Sequence, residues 1–146
     1  MRVASLLICT FAVAGCSSMT DASLDGAEPA LGIELSAVAG GTSAFGDSVR
    51  ITIRNSADAP RYMQRCGTEP LLLLAEFVDG AWTDPVQNFA CVAPVLPLAI
   101  ELAARDSLTV VRFISIPGSL RFVGYASASA DLANEQRTRS NSVTKR

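Results

Sequence analysis

Thiols and carboxylates are the main reactive side chains of this sequence, because it contains no histidine and only one lysine, Lys145. Without histidine the chain cannot build a Ser-His-Asp or Cys-His arrangement, nor a metal site of imidazole ligands. A Ser-Lys dyad would have to use Lys145, which lies in a polar tail and is a poor candidate for activating a serine. The common nucleophilic mechanisms are therefore not expected.

Four carboxylates fall close together in the sequence and are the remaining candidates for acid–base chemistry. Glu69, Glu76, Asp79 and Asp84 surround a predicted hairpin, so they could meet in space. Scattered acids on a solvated surface are the simpler interpretation, and no Asp-x-Asp-x-Asp-Gly calcium loop is present. We expect a protein that is not an enzyme, with no metal and no cofactor other than a covalent lipid.

The covalent lipid is expected from the first sixteen residues. Arg2 precedes an apolar run over residues 3–14, which is typical of a signal peptide and too short for the roughly 20 apolar residues of a membrane-spanning helix. The run ends in Val13-Ala14-Gly15-Cys16, which resembles the lipobox of bacterial lipoproteins. The resemblance implies that residues 1–15 are removed and that the Cys16 thiol carries a diacylglyceryl group.

Localisation follows from the same resemblance. In such lipoproteins an aspartate after the lipidated cysteine favours the inner membrane, so Ser17 implies the outer membrane where the organism has one. Residues 16–30 are small and polar, and we interpret them as a flexible tether. Two alternatives stay open: Ala12-Val13-Ala14 also fits the ordinary signal peptidase, which would release a soluble protein, and Cys16 could be a structural cysteine.

Processing would leave two thiols in the mature chain. Cys9 leaves with the signal peptide and Cys16 is lipidated, so Cys66 and Cys91 remain. An exported domain meets an oxidising compartment, which favours a disulfide between them, worth about 3–4 kcal/mol on the chain-entropy estimate. A redox pair usually has Cys-x-x-Cys spacing and a zinc site needs four ligands, so both alternatives are disfavoured.

Charge and length describe a single acidic domain. Removing fifteen of the 146 residues leaves 131, which carry 11 Lys+Arg and 14 Asp+Glu, a net charge of −3 once Arg2 is excluded. That length suffices for one hydrophobic core. The charge offers no footprint for nucleic acid and no polybasic membrane patch.

Residues 31–146 have the pattern of an all-β domain. About eight short alternating segments are separated by turns, and no helical period exceeds two turns, which favours an antiparallel β-sandwich or else a small closed barrel. Segment 49–54 alternates β-branched residues with arginine or threonine, and Asp79-Gly80 predicts a tight hairpin. Residues 84–97 hold three prolines and Cys91, which predicts a loop pinned to the sandwich by the disulfide.

From residue 49 onward the chain resembles immunoglobulin-like β-sandwich domains of small bacterial lipoproteins. The resemblance rests on strand 49–54, the Cys66, Trp82 and Cys91 spacing, and the closing Arg139-Ser140-Asn141. It implies a single immunoglobulin-like sandwich of about 7–8 strands and no particular activity. A related sandwich acts as a proteinase inhibitor in some bacteria, but no residues here match a reactive site.

These expectations lead to a functional hypothesis of binding rather than catalysis. We expect a lipid-anchored envelope domain that binds another protein, a peptide strand at its edge or cell-wall polymer; the alternative is an inhibitor of an envelope or secreted protease that inserts the Cys91 loop. Trp82 and Phe89 are the candidate contact residues, because loops on rigid scaffolds carry function and aromatic side chains are enriched at interfaces. In the competing interpretation, Phe89 and Val92 turn inward and cap the core.

Overall fold

The fold is taken from a computed structural model that describes residues 26–91 and 98–145. The predicted signal peptide, Cys16, Ser17 and Val92 lie outside the described residues. No helix in the described part of the chain is long and apolar enough to cross a membrane. The described residues form eleven strands: β1 Ile33–Ser43, β2 Gly46–Asn55, β3 Arg61–Cys66, β4 Glu69–Pro70, β5 Leu73–Val78, β6 Ala81–Trp82, β7 Ala99–Leu102, β8 Ser107–Ile114, β9 Gly118–Ser127, β10 Gln136–Arg139 and β11 Val143–Lys145.

Sheet 1 consists of β1, β2 and β8 in that order, all antiparallel. Its strands alternate as the sequence predicts: Ile51 and Ile53 are fully buried, while Arg50 and Arg54 on the same strand are exposed. Because successive strand side chains point to opposite faces, β-branched residues at every second position give β2 one core face and one solvent face.

Sheet 2 is built around β9, the longest strand of that sheet. One edge of β9 pairs with β3 and β5, and β10 and β11 also pair with β9; β7 lies beyond β3 and β6 beyond β5. Leu120, Phe122 and Ala126 point into the core, where they meet the apolar face of sheet 1. The residues between them, Arg121 first, therefore lie on the outer face of sheet 2.

The predicted Asp79-Gly80 hairpin is confirmed. Asp79 has φ 52° and Gly80 has φ 83°, the pair of positive φ angles that a two-residue type I′ turn requires. The turn joins β5 to β6 and pairs Phe77 with Trp82 on the outer face of sheet 2. The turn chemistry thereby fixes the position of the only tryptophan of the chain.

Polar side chains tie β1 to the last part of sheet 2. The Asn141 side chain accepts a hydrogen bond from the Ala37 N–H (2.8 Å) and donates one to the Ala37 carbonyl (2.9 Å), so it pairs with β1 as a strand residue would. The buried Thr138 hydroxyl donates to the carbonyls of Ile33 and Glu28. Glu28 also exchanges two backbone hydrogen bonds with Arg139, so the contacts of the domain begin two residues before the predicted end of the tether.

The all-β prediction is confirmed, and the architecture is that of an antiparallel β-sandwich. Neither sheet closes on itself among the described residues, which disfavours the closed-barrel alternative. More strands are present than the 7–8 expected: β4 has only two residues, and β10 and β11 occupy a region that the sequence predicts as a loop followed by one edge strand. Strands this short carry too little alternation to be recognised in a sequence.

Candidate functional site

The loop after β6 is attached to the sandwich through the two cysteines. The sulfur atoms of Cys66, at the end of β3, and Cys91, in the loop, are 2.01 Å apart, which is disulfide-bonding distance. Before reaching Cys91, the loop exchanges two backbone hydrogen bonds of 2.9 Å between Val86 and Leu74 of β5. The described part of the loop is thus held at both ends.

Phe89 lies between those two attachments and turns inward. It packs against the core and stacks on Phe122, with ring centroids 6.4 Å apart and planes 15° apart. The Arg112 guanidinium covers its ring at 5.3 Å from the centroid and forms an ion pair with Glu69 at 2.5 Å. These contacts favour the interpretation of Phe89 as a core-capping residue over that of an exposed anchor.

Trp82 lies on the other side of sheet 2. Its ring contacts Phe77 at 5.3 Å between centroids and is covered by the Arg121 guanidinium at 4.1 Å. Arg121 and Phe122 are consecutive residues of β9 and therefore point to opposite faces. The structure does not bring the two predicted contact residues together, because Trp82 packs beside Arg121 and Phe89 packs beside Phe122.

Arg121 is a buried guanidinium with no carboxylate partner among the described residues. It is only 9% exposed, and its Nε has no hydrogen-bond partner in that part of the chain; the same holds for Trp82 Nε1. Burial, and next the neighbouring charges of Arg139 and Arg137, lower the pKa of Arg121. A buried donor without a partner costs about 1–3 kcal/mol, and a charged one costs more.

No protein-family model and no curated protein matches this chain.

Two further arginines lie beside Arg121 on the outer face of sheet 2. Arg139 pairs in register with Val123 and Arg137 pairs with Tyr125, so Arg139 is the diagonal neighbour of Arg121, with Cα atoms about 7–8 Å apart. Glu28 forms an ion pair with Arg139. Around Arg121, three guanidinium groups and one carboxylate leave an excess of positive charge. We call Trp82, Arg121, Arg137 and Arg139 the Arg121 face.

The outer face of sheet 1 has a different character. Val38, Arg50 and Val111 lie side by side across β1, β2 and β8, and Phe113 follows Val111 on the same face. The ring of Phe45 contacts that of Phe113 at 6.3 Å, and the exposed fractions of the four apolar residues range from 47% to 80%. Arg50 forms no ion pair with a described residue. We call Val38, Phe45, Arg50, Val111 and Phe113 the Arg50 face.

A cavity of about 140 Å³ opens at one end of the sandwich, between β2 and β11. Val49, Leu120 and Val143 line it, and Lys145 lies at its edge. The Lys145 ammonium donates to the Ile114 carbonyl at 2.7 Å and lies 3.8 Å from an Asp47 carboxylate oxygen. The lysine is thus engaged with the backbone and Asp47.

The four carboxylates considered for acid–base chemistry do not form a metal-binding group among the described residues. Glu69 is paired with Arg112 across the disulfide loop. Asp79 lies at the hairpin tip and Glu76 at mid-strand in β5, and the described residues contain no group of three or more acidic or cysteine side chains placed to hold a metal. These four carboxylates therefore give no indication of a metal site in the described part of the chain.

The sequence analysis does not predict either of the two arginine-bearing faces. A signal for each was present: Arg50 is the polar member of an alternating strand, and Arg121 lies between the apolar residues Leu120 and Phe122. Alternation predicts that each arginine leaves the core. It does not indicate which side chains from other strands become its neighbours, because that depends on the register between strands distant in sequence.

Proposed function

We propose that this chain is a lipid-anchored envelope protein whose immunoglobulin-like, non-catalytic sandwich binds a protein partner through the Arg50 face. One observation carries the proposal: four exposed apolar side chains, three on the outer face of sheet 1 and Phe45 in the adjoining turn, surround an arginine that has no ion pair among the described residues. Exposed apolar patches of this kind mark interaction sites, and aromatic residues and arginine are enriched at interfaces.

The chemistry of the face specifies the partner. Val38 and Val111 flank Arg50, so a docked surface would desolvate the guanidinium from both sides. Burying a charge without a partner of opposite sign is costly. We therefore expect an apolar protein surface with a carboxylate that pairs with Arg50.

The anchor rests on the sequence alone. Val13-Ala14-Gly15-Cys16 after an apolar run supports lipidation of Cys16, and Ser17 supports placement in the outer membrane where the organism has one. Each buried methylene contributes about 0.8 kcal/mol, so two or three acyl chains would retain the protein durably. Intact mass of the protein from cells tests it: an acylated species beginning at Cys16 supports the anchor, and an unacylated species beginning at Gly15 contradicts it.

Site-specific photocrosslinking in cells tests the binding face. A photoreactive residue at Phe113 should give a discrete protein adduct, whereas one at Glu34, on the same outer face at the opposite edge of sheet 1, should not. Arg50→Glu should abolish the adduct. Arg54→Glu is the matched control, because Arg54 is also exposed on β2 and unpaired among the described residues.

Two results would contradict the proposal. Equal adducts from Phe113 and Glu34 would indicate unspecific collision with neighbouring proteins. An adduct that survives Arg50→Glu, or disappears equally with Arg54→Glu, would remove the role of the Arg50 charge. The protease-inhibitor alternative is not favoured, since Phe89 of the proposed inhibitory loop packs inward.

A further inference from the structure

We infer that the Arg121 face is a binding site for a phosphate group. It lies on sheet 2, away from the Arg50 face on sheet 1, and it does not require a protein partner. The inference starts from unpartnered donors: Arg121 is nine-tenths buried, and neither its Nε nor the indole Nε1 of Trp82 has a hydrogen-bond partner among the described residues. Buried polar groups are almost always hydrogen-bonded. The Nε of Arg112 is also open, but Glu69 neutralises that arginine, whereas the open donors here belong to an arginine without a carboxylate partner, which indicates a missing acceptor.

The charges identify the acceptor as an anion. Arg121, Arg137 and Arg139 contribute three positive charges and Glu28 one negative charge, in a chain whose net charge is −2. Arg139 also has a buried Nε without a partner in the described part of the chain. The net local charge of about +2 requires an anion, and the forked donors of guanidinium groups fit the oxygens of a phosphate, whether it is free or part of a phosphodiester.

The aromatic ring prepares Arg121 for this role. Stacking at 4.1 Å holds the guanidinium plane against the Trp82 ring, and Phe77 packs against that ring in turn. A guanidinium fixed before binding loses less conformational entropy when it pairs with an anion. Arg137 is exposed and Arg139 is half-buried, so a ligand can approach this face from solvent.

The chain enters the domain beside these arginines, which bears on the source of the phosphate. Glu28 contacts Arg139, and residues 17–27 separate Glu28 from Cys16, a span of at most about 40 Å when extended. If Cys16 is lipidated as proposed, headgroup phosphates lie within reach of the Arg121 face. Free phosphate offers the same oxygens, and the experiment distinguishes the two sources.

The only tryptophan of the chain lies within the site, so its fluorescence reports binding directly. Full-length chain purified in uncharged detergent micelles would be titrated with inorganic phosphate, with sodium chloride at matched ionic strength as control. A second titration would add phosphatidylglycerol to the micelles, with phosphatidylcholine, whose phosphate is balanced by its own choline cation, as the control for an anionic phosphate. We expect a saturable change in Trp82 emission with phosphate or with phosphatidylglycerol, and none with the controls.

Substitutions identify the groups responsible. Arg137→Gln and Arg139→Gln should each weaken binding about tenfold, the usual consequence of losing one charge-assisted hydrogen bond. Arg54→Gln on sheet 1 should have no effect. Broadening of the phosphate ³¹P resonance by the protein, reduced in Arg137→Gln, gives a readout independent of the indole.

Each outcome decides the question. A response to phosphatidylglycerol alone assigns the site to a lipid headgroup, and a response to both probes supports a general phosphate site. Responses equal to those of sodium chloride and phosphatidylcholine, or binding unchanged in both Arg137→Gln and Arg139→Gln, would overturn the inference. Because Arg137 is exposed, its substitution tests the site without disturbing the core. The outcome of these titrations does not affect the photocrosslinking test at Phe113. Either proposal can therefore be contradicted without the other.

Discussion

Two arginines of this protein cover aromatic rings in similar ways but in opposite electrostatic settings. Arg112 lies over Phe89 beneath the disulfide loop and is neutralised by Glu69 at 2.5 Å. Arg121 lies over Trp82 on the outer face of sheet 2, has no carboxylate partner among the described residues and has Arg139 and Arg137 as neighbours. Both arginines have a buried Nε without a hydrogen-bond partner among the described residues. The difference between them is that the charge of Arg112 is paired with Glu69, whereas that of Arg121 has no such partner.

This comparison shows that a stacked arginine is not in itself evidence of a site. Stacking contributes about 0.5–2 kcal/mol depending on how well the pair is desolvated, whether or not a ligand binds. The distinction lies in whether the charge has a partner. Buried charges without a partner are costly, so a protein that retains one is expected to use it.

Opening the disulfide should have the largest effect on the Arg112 region. Replacing both Cys66 and Cys91 with serine releases the loop that carries Phe89, and we expect a loss of up to about 3–4 kcal/mol in the free energy of unfolding. Urea denaturation followed by circular dichroism measures it. The emission of Trp82 in the folded variant should stay unchanged, because the Arg121 face is held by pairing among β5, β6, β9 and β10. A shifted emission would show that the two regions are coupled.

Removing the ring beneath Arg112 comes next. Phe89→Ala should destabilise the fold by about 2–3 kcal/mol, somewhat less than a fully buried phenylalanine would, because Phe89 is only partly buried. Phe89→Leu is the control and should retain most of that stability. Thermal unfolding distinguishes the two variants. A Phe89→Ala variant as stable as the wild type would instead support the interpretation of Phe89 as an exposed contact residue.

The contrast between these regions shows what the sequence could and could not reveal. Local signals sufficed for the sandwich class, the Asp79-Gly80 turn and the Cys66–Cys91 pairing, because alternation, turn residues and thiol number are properties of short segments. For Phe89 the sequence leaves an exposed contact residue and a core-capping residue both open, because loop composition does not reveal which side of a sheet a loop crosses. Asn141 pairs with Ala37, 104 positions away, and no local pattern predicts such a contact.

Neutralising the partner of Arg112 should have a smaller effect. Glu69→Gln leaves the Arg112 side chain, which is 13% exposed, without its carboxylate, but the Glu69 side chain is itself 42% exposed and water partly screens the pair. We expect a loss of about 1 kcal/mol. Asp58→Asn is the matched control: its ion pair with Arg105 is largely exposed, and its removal should leave the unfolding midpoint in urea unchanged. If both variants lost equal stability, the ion pair of Arg112 with Glu69 would contribute no more than an ordinary surface ion pair.

The smallest change is expected where the charge has no partner. Arg121→Met keeps a long side chain over the Trp82 ring, where a thioether also packs favourably. The substitution loses the cation–π contact, but it also removes a buried charge, an unpaired donor and the repulsion from Arg139 and Arg137. Because apolar replacements of poorly paired buried charges are often neutral or stabilising, we expect the free energy of unfolding to change by less than about 1 kcal/mol. Phosphate binding should nevertheless be lost, so stability and binding separate at this residue. A loss of more than about 2 kcal/mol in urea denaturation would mean that Arg121, like Arg112, stabilises the fold, since removing a poorly paired buried charge is expected to be nearly neutral.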